Sequence, residues 1–86
     1  MVRILTVKNC SYCDELKTRL SDMKIDFNEI DIDSEKGKKE VENISKIANT
    51  DYVPIVIVKN NILVPTTSFK TMEQASNIIK NLITNT

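Results

Sequence analysis

The run of four apolar residues at Ile55–Val58 constrains the fold most, because it has no polar side chain to turn toward solvent. A strand of this kind is usually buried on both faces of its sheet. Helices are therefore expected on both sides of the sheet. Amphipathic helical spacing elsewhere in the chain supplies candidates to cover it.

The first half of the chain predicts two strands and two helices. Val2–Val7 is short, apolar and β-branched, which favours a strand. Cys13, Leu16, Leu20 and Met23 recur at helical steps and predict a helix from about Ser11 to Met23. A second strand follows, containing Phe27, Ile30 and Ile32. Asp33 or Ser34 is expected to cap a second helix, whose apolar face would comprise Val41, Ile44, Ile47 and Ala48, with Asn49 as its stop.

The second half predicts a hairpin and a last helix. Ile55–Val58 would pair with Ile62–Val64 across the turn at "KNN". Thr66, Thr67 and Ser68 are candidate N-caps for the last helix. Its predicted apolar face comprises Phe69, Met72, Ala75, Ile79, Leu82 and Ile83.

The resulting order, β-α-β-α-β-β-α, predicts an α/β fold in a single domain over residues 1–86. The first β-α-β unit should make parallel strands through a right-handed crossover. The hairpin adds antiparallel strands, which gives a four-stranded mixed sheet flanked by three helices.

Composition excludes several classes of function. Net charge is zero with 28% charged residues, and no basic run suits nucleic acid or an anionic membrane. The apolar runs are too short to cross a bilayer, and the first residues lack a signal-peptide pattern. We therefore expect a cytoplasmic protein, a monomer with no membrane or nucleic-acid partner.

The only two cysteines, Cys10 and Cys13, form a C-x-x-C pair between the first strand and the first helix. They could be a redox couple, half of a metal site, or two packed apolar residues. The chain has no histidine, and a zinc site needs about four ligands. A metal site within one chain is thus not expected, whereas a site shared by two chains stays open. In the reducing cytosol, and after the first strand of a β-α-β unit, the pair favours thioredoxin-like redox chemistry.

The position of Cys10 at the predicted helix start favours a reactive thiolate. Unpaired backbone N–H groups there and the positive charge of Lys8 both favour the thiolate. Asp14 and Glu15 oppose this effect. Cys10 would attack a disulfide, and the more buried Cys13 would resolve the mixed disulfide.

The "CSYC" motif, followed some forty residues later by "YVPIVIV", resembles the glutaredoxin family, and the likeness covers nearly the whole chain. The resemblance implies a thioredoxin-like fold and the reduction of protein disulfides or glutathione mixed disulfides. Glutathione would be a co-substrate, with no permanently bound cofactor. Ribonucleotide reductase is one protein substrate that the resemblance implies.

The resemblance also implies roles for single residues. Tyr12 would flank bound glutathione, and Val53 would pair with the substrate backbone next to a cis Pro54. Lys8 would help to bind the substrate, although it lies two residues before Cys10 where the family has its lysine three residues before. Thr67 and Ser68 would contact the γ-glutamyl end of glutathione.

Two departures from the family pattern lie in the expected glutathione site. Tyr52 stands where the family has threonine, and Val64-Pro65 replace two glycines. These departures leave open a redoxin that takes electrons from a thioredoxin reductase. A third alternative is a [2Fe–2S] glutaredoxin, in which two subunits hold the cluster through their first cysteines and glutathione.

Overall fold

The structure, a computed structural model, describes residues 2–45 and 53–84. Within these ranges the elements follow the order β-α-β-α-β-β-α. They are β1 (Val2–Thr6), α1 (Ser11–Asp22), β2 (Phe27–Asp31), α2 (Glu35–Ser45), β3 (Ile55–Val58), β4 (Asn61–Leu63) and α3 (Met72–Thr84). The predicted fold class, a thioredoxin-like α/β fold, is confirmed.

The four strands form one mixed sheet in the order β2-β1-β3-β4. β1 and β2 are parallel, with Val2 opposite Phe27 and Thr6 opposite Asp31. β1 pairs with β3 and β3 with β4 in antiparallel fashion. β1 is thus an inner strand of the sheet. Its carboxyl end leads into α1, and the two cysteines lie at this junction.

Alternate residues of β1 and β3 face two separate apolar layers. Ile4 and Val56 pack with Leu16 of α1 and Ile79 of α3 on one side of the sheet. Leu5, Ile55 and Ile57 pack with Ile30 and with Ile44 of α2 on the other. All four residues of β3 are buried, as the unbroken apolar run predicts.

The start of α2 is fixed by a cap and by a glycine. The Gly37 N–H donates to Ser34 Oγ at 3.0 Å, which confirms Ser34 as the cap. A Cβ on Gly37 would lie 1.9 Å from the Asp31 carbonyl oxygen. Gly37, which has no Cβ, permits the close approach of α2 to the end of β2.

The last helix begins later than predicted. α3 starts at Met72, and Thr71 caps it, because the Gln74 N–H donates to Thr71 Oγ1 at 3.1 Å. The prediction that Thr66, Thr67 or Ser68 caps this helix is therefore wrong. Those threonines and the serine instead form a turn, in which Ser68 N–H donates to the Val64 carbonyl at 2.9 Å.

The apolar faces of the helices are mostly as predicted. Phe69 is buried although it precedes α3, and Leu82 packs against the core. Ile83 is the exception, because 37% of it remains exposed near the end of the helix. The predictions for Ile47, Ala48, Asn49 and Tyr52 lie outside the described residues. No helix in residues 2–45 and 53–84 has the length and apolarity to cross a membrane.

Candidate active site

The start of α1 is built around Cys10. Asn9 takes a left-handed conformation (φ 60°) after β1, and Cys10 is extended (φ −101°, ψ 104°) as the N-cap residue. The Cys13 N–H donates to Cys10 Sγ at 3.1 Å, and the Asp14 N–H donates to the Cys10 carbonyl at 3.1 Å. The sulfur therefore takes the place that a serine or threonine oxygen holds in an ordinary cap.

Cys10 and Cys13 form a disulfide in this structure, with their Cα atoms 5.2 Å apart. Their exposure differs, because Cys10 is partly accessible whereas Cys13, on the buried face of α1, is 1% exposed. Only Cys10 can be approached by a large disulfide. When the pair is reduced, the backbone N–H that reaches Cys10 Sγ favours its thiolate form.

A groove of about 190 Å³ is bordered by Tyr12, which lies between the two cysteines in the chain. Tyr12 stands at its edge with 62% of its surface exposed. Val53 lines the groove, and the Val53–Pro54 peptide bond is cis, as the resemblance implied. The remaining lining residues come from the segment before α3 and its first residue: Pro65, Thr66, Phe69, Lys70 and Met72.

Lys8 lies in another cavity, of about 320 Å³, at the carboxyl ends of β1 and β2. It shares this cavity with Asp14, Lys17, Glu29 and Asp31. Lys8 is therefore close to the cysteines in the chain but does not line the groove that Tyr12 and Val53 border.

Thr67 and Ser68 do not line the groove either. Thr67 is exposed at the tip of the turn, and Ser68 Oγ accepts the Val64 N–H at 3.1 Å. Their predicted substrate contacts stay a prediction. Thr66, which sequence reasoning assigned only to a cap, lines the groove in a left-handed conformation (φ 67°).

Sequence reasoning also missed Lys70, Phe69 and Met72 as groove residues. Phe69 and Met72 carried a helical signal, and both are buried as that signal predicts. That both residues also line the groove could not be predicted from the spacing of apolar residues in the sequence. Lys70 had no signal at all, because an exposed lysine between apolar residues is usual on a helix surface.

An ion-pair network ties the first turns of α1 to the sheet. Lys17 Nζ lies 2.7 Å from Glu29 Oε2 and 3.3 Å from Asp14 Oδ1, and Thr6 Oγ1 donates to Glu29 Oε2 at 3.0 Å. The hydrogen bond from Lys17 is the main cause that lowers the pKa of Glu29, and Thr6 adds to it. The same hydrogen bond is the main cause that raises the pKa of Lys17.

Metal ligation has little support in the part of the chain that the structure describes. Across residues 2–45 and 53–84, no group of three or more histidine, cysteine, aspartate or glutamate side chains is arranged to hold a metal ion. The site thus consists of two cysteines, a helix N-terminus and an adjoining groove. This is the arrangement of a thiol–disulfide oxidoreductase.

Comparison with known proteins gives the family. The family model described as glutaredoxin matches residues 2–63, so the chain belongs to the glutaredoxin family. No curated protein sequence matches the chain significantly.

Two solved structures show the same fold. A glutaredoxin from Archaeoglobus fulgidus is 23% identical with a TM-score of 0.67, and the match covers 96% of this chain and 85% of that one. A variant of a thioredoxin-like protein is 13% identical with a TM-score of 0.69, covering 92% of this chain and 99% of that one.

Proposed function

We propose that the protein reduces protein disulfides and glutathione mixed disulfides through Cys10 and Cys13, with glutathione as the electron donor. The observation that carries the proposal is the difference in access between the two sulfurs. Cys10 is partly exposed and accepts a helix N-terminal N–H, whereas Cys13 is buried directly behind it.

The reaction is an exchange of disulfide bonds. The Cys10 thiolate attacks one sulfur of the substrate, the substrate S–S bond breaks, and its other sulfur leaves as a thiolate that takes up a proton. The Cys13 sulfur, having lost its proton, then attacks Cys10 and releases the second substrate thiol. The substrate gains two electrons and the protein is left with the Cys10–Cys13 disulfide.

Two molecules of glutathione would restore the dithiol and form one glutathione disulfide. For a glutathione mixed disulfide, Cys10 alone could accept the glutathione, and a second glutathione would release it. In both routes Cys10 is the only sulfur that has to meet a substrate. Tyr12 and Val53 border the groove next to it, where an extended peptide could pair with the Val53 backbone.

A redoxin that draws electrons from a thioredoxin reductase is the second candidate. The turn before α3 favours it, because Pro65 stands where the family has a glycine and Thr66 occupies a conformation that costs a β-branched residue free energy. That turn differs from the glycine-containing segment with which the family grips glutathione.

Two coupled assays separate these candidates. One supplies the protein with glutathione, glutathione reductase and NADPH, and the other with thioredoxin reductase and NADPH. NADPH oxidation in the first assay, dependent on a disulfide substrate and on this protein, is the expected result. Turnover in the second assay alone would refute glutathione dependence while leaving the disulfide chemistry intact.

A further inference from the structure

Among residues 2–45 and 53–84, Lys70 is the only charged residue that lines the groove bordered by Tyr12. Its side chain is exposed, and within residues 2–45 and 53–84 its ammonium group has no ion-pair partner. The other lining residues in this part of the chain are apolar, except for Tyr12 and Thr66. A single unpaired cation beside apolar surface is suited to a ligand that carries a carboxylate.

Three backbone donors of the neighbouring turn are already bound within the turn. The Thr66 N–H donates to the Phe69 carbonyl at 2.8 Å, and the Ser68 N–H donates to the Val64 carbonyl at 2.9 Å. The Val64 N–H is taken by Ser68 Oγ. The turn therefore satisfies these N–H groups internally instead of presenting them to the groove.

Two backbone N–H groups at the start of α3 are also bound to protein acceptors. The Gln74 N–H donates to Thr71 Oγ1 at 3.1 Å, and the Lys70 N–H donates to Gln74 Oε1 at 2.8 Å. These paired contacts resemble a capping box, which uses the donors that could otherwise bind an anion. The Lys70 ammonium adds a positively charged side chain just before this end of α3.

We infer that Lys70 is a specificity-determining residue that selects disulfide substrates with a carboxylate close to the reacting sulfur. The inference rests on the proposed function and deepens it. The carboxylate could belong to glutathione itself or to an acidic residue near the cysteine of a protein substrate. In both cases Lys70 acts on binding, because it is not one of the sulfur-bearing residues.

The test compares pairs of disulfides that differ in charge. Fully reduced protein is mixed in a stopped-flow instrument with glutathione disulfide, or with the same disulfide whose carboxylates are esterified. A second pair of arms uses peptide disulfides with glutamate or glutamine next to the cysteine. The quantity compared is the ratio of second-order rate constants, charged over uncharged, within each pair.

For Lys70→Glu we expect this ratio to fall by about fivefold in at least one pair, the size of effect that reversing one exposed charge can give. Lys70→Arg should keep the wild-type ratio, since it retains the charge. Lys80→Glu is the matched control, because Lys80 is an exposed lysine of α3 that does not line the groove. Added salt should lower the wild-type ratio and leave that of Lys70→Glu nearly unchanged.

The two pairs identify the source of the carboxylate. A fall confined to glutathione disulfide assigns Lys70 to the small thiol, and a fall confined to the peptides assigns it to protein substrates. Equal ratios for Lys70→Glu and wild type in both pairs would overturn the inference alone. A wild-type protein that reduces none of the four disulfides would overturn the proposed function together with it.

Discussion

The helix N-termini of α1 and α3 differ in the group that accepts hydrogen bonds from their first N–H groups. At α1 the capping group is the sulfur of Cys10, which remains partly exposed and can react. At α3 the cap is Thr71 with Gln74, and the preceding turn from Val64 to Phe69 is closed by its own hydrogen bonds. The Cys10 sulfur at the α1 start is thus accessible, whereas at the α3 start two N–H groups are already bound to protein side chains.

In this site the group proposed to react and the groups proposed to recognise the substrate lie on separate elements. The electrostatic field at a helix start is available only if its N–H groups face an external group. At α1 that group is the sulfur of Cys10, the proposed nucleophile. At α3 the side chains of Thr71 and Gln74 accept the N–H groups of Gln74 and Lys70.

The substitution Cys10→Ser should abolish disulfide reduction, because it removes the proposed nucleophile at the start of α1. Serine can still cap the helix through its hydroxyl, so the fold should persist while disulfide reduction falls to the rate without protein. The coupled glutathione assay measures the loss, and circular dichroism checks the fold. Substantial remaining turnover would show that Cys10 is not the nucleophile.

Cys13→Ser should leave the first step intact and block the second. Cys10 still attacks, but nothing behind it can resolve the mixed disulfide with a protein substrate. Mass spectrometry after mixing with a peptide disulfide should show one peptide adduct on Cys10. A variant that forms no adduct, while the wild-type protein turns over, would contradict the assigned order of the two cysteines.

Thr71→Ala tests where α3 begins. Loss of an N-cap hydroxyl costs typically about 1 kcal/mol of unfolding free energy. Urea denaturation should show that loss for Thr71→Ala, whereas the control Thr67→Ala, at an exposed position in the turn, should lose less than about 0.5 kcal/mol. The reverse order would place the helix start at the residues that the sequence first suggested.

Glu29→Gln probes the smaller anchor that holds α1 to the sheet. The pKa of Glu29 is lowered, chiefly by the hydrogen bond from Lys17, so its contribution to stability is present above its ordinary pKa of 4.5 and is lost as pH falls through the lowered value. Because both side chains are partly exposed, we expect a loss of only about 0.5 kcal/mol at neutral pH.

The measurement is the stability difference between wild type and Glu29→Gln as a function of pH. It should shrink as pH falls below 4.5. In the alkaline range it should also shrink, because the pKa of Lys17 is raised and the ion pair is lost only above 10.5. The control Glu15→Gln, which breaks an exposed pair with Arg19 on α1, should lose less at neutral pH. A difference that is constant from neutral to acid pH would contradict the ion-pair account.

The sequence predicted the α1 half of the site well because its signals are local. A strand, a C-x-x-C pair and an amphipathic helix follow one another without a gap, and the positions of Cys10 and Cys13 at the helix start follow from that order. The burial of β3 could also be predicted, since four successive apolar residues give the strand no polar face to turn toward solvent.

The α3 half could not be predicted, because several residues there offer equivalent caps. Thr66, Thr67, Ser68 and Thr71 are all acceptable N-caps by residue type, and the choice depends on tertiary contacts. Phe69 is buried before the helix starts. Hydrogen bonds between Thr66 and Phe69 and between Val64 and Ser68 close the turn. Neither fact has a periodic signature.

The central claim is that Cys10 is the accessible, reactive sulfur of a dithiol pair. The most direct measurement is to reduce the wild-type protein, treat it with less than one equivalent of iodoacetamide at neutral pH, and locate the label by peptide mass spectrometry. Label is expected on Cys10, with Cys13 modified only after unfolding. Preferential labelling of Cys13 in the folded protein would contradict it.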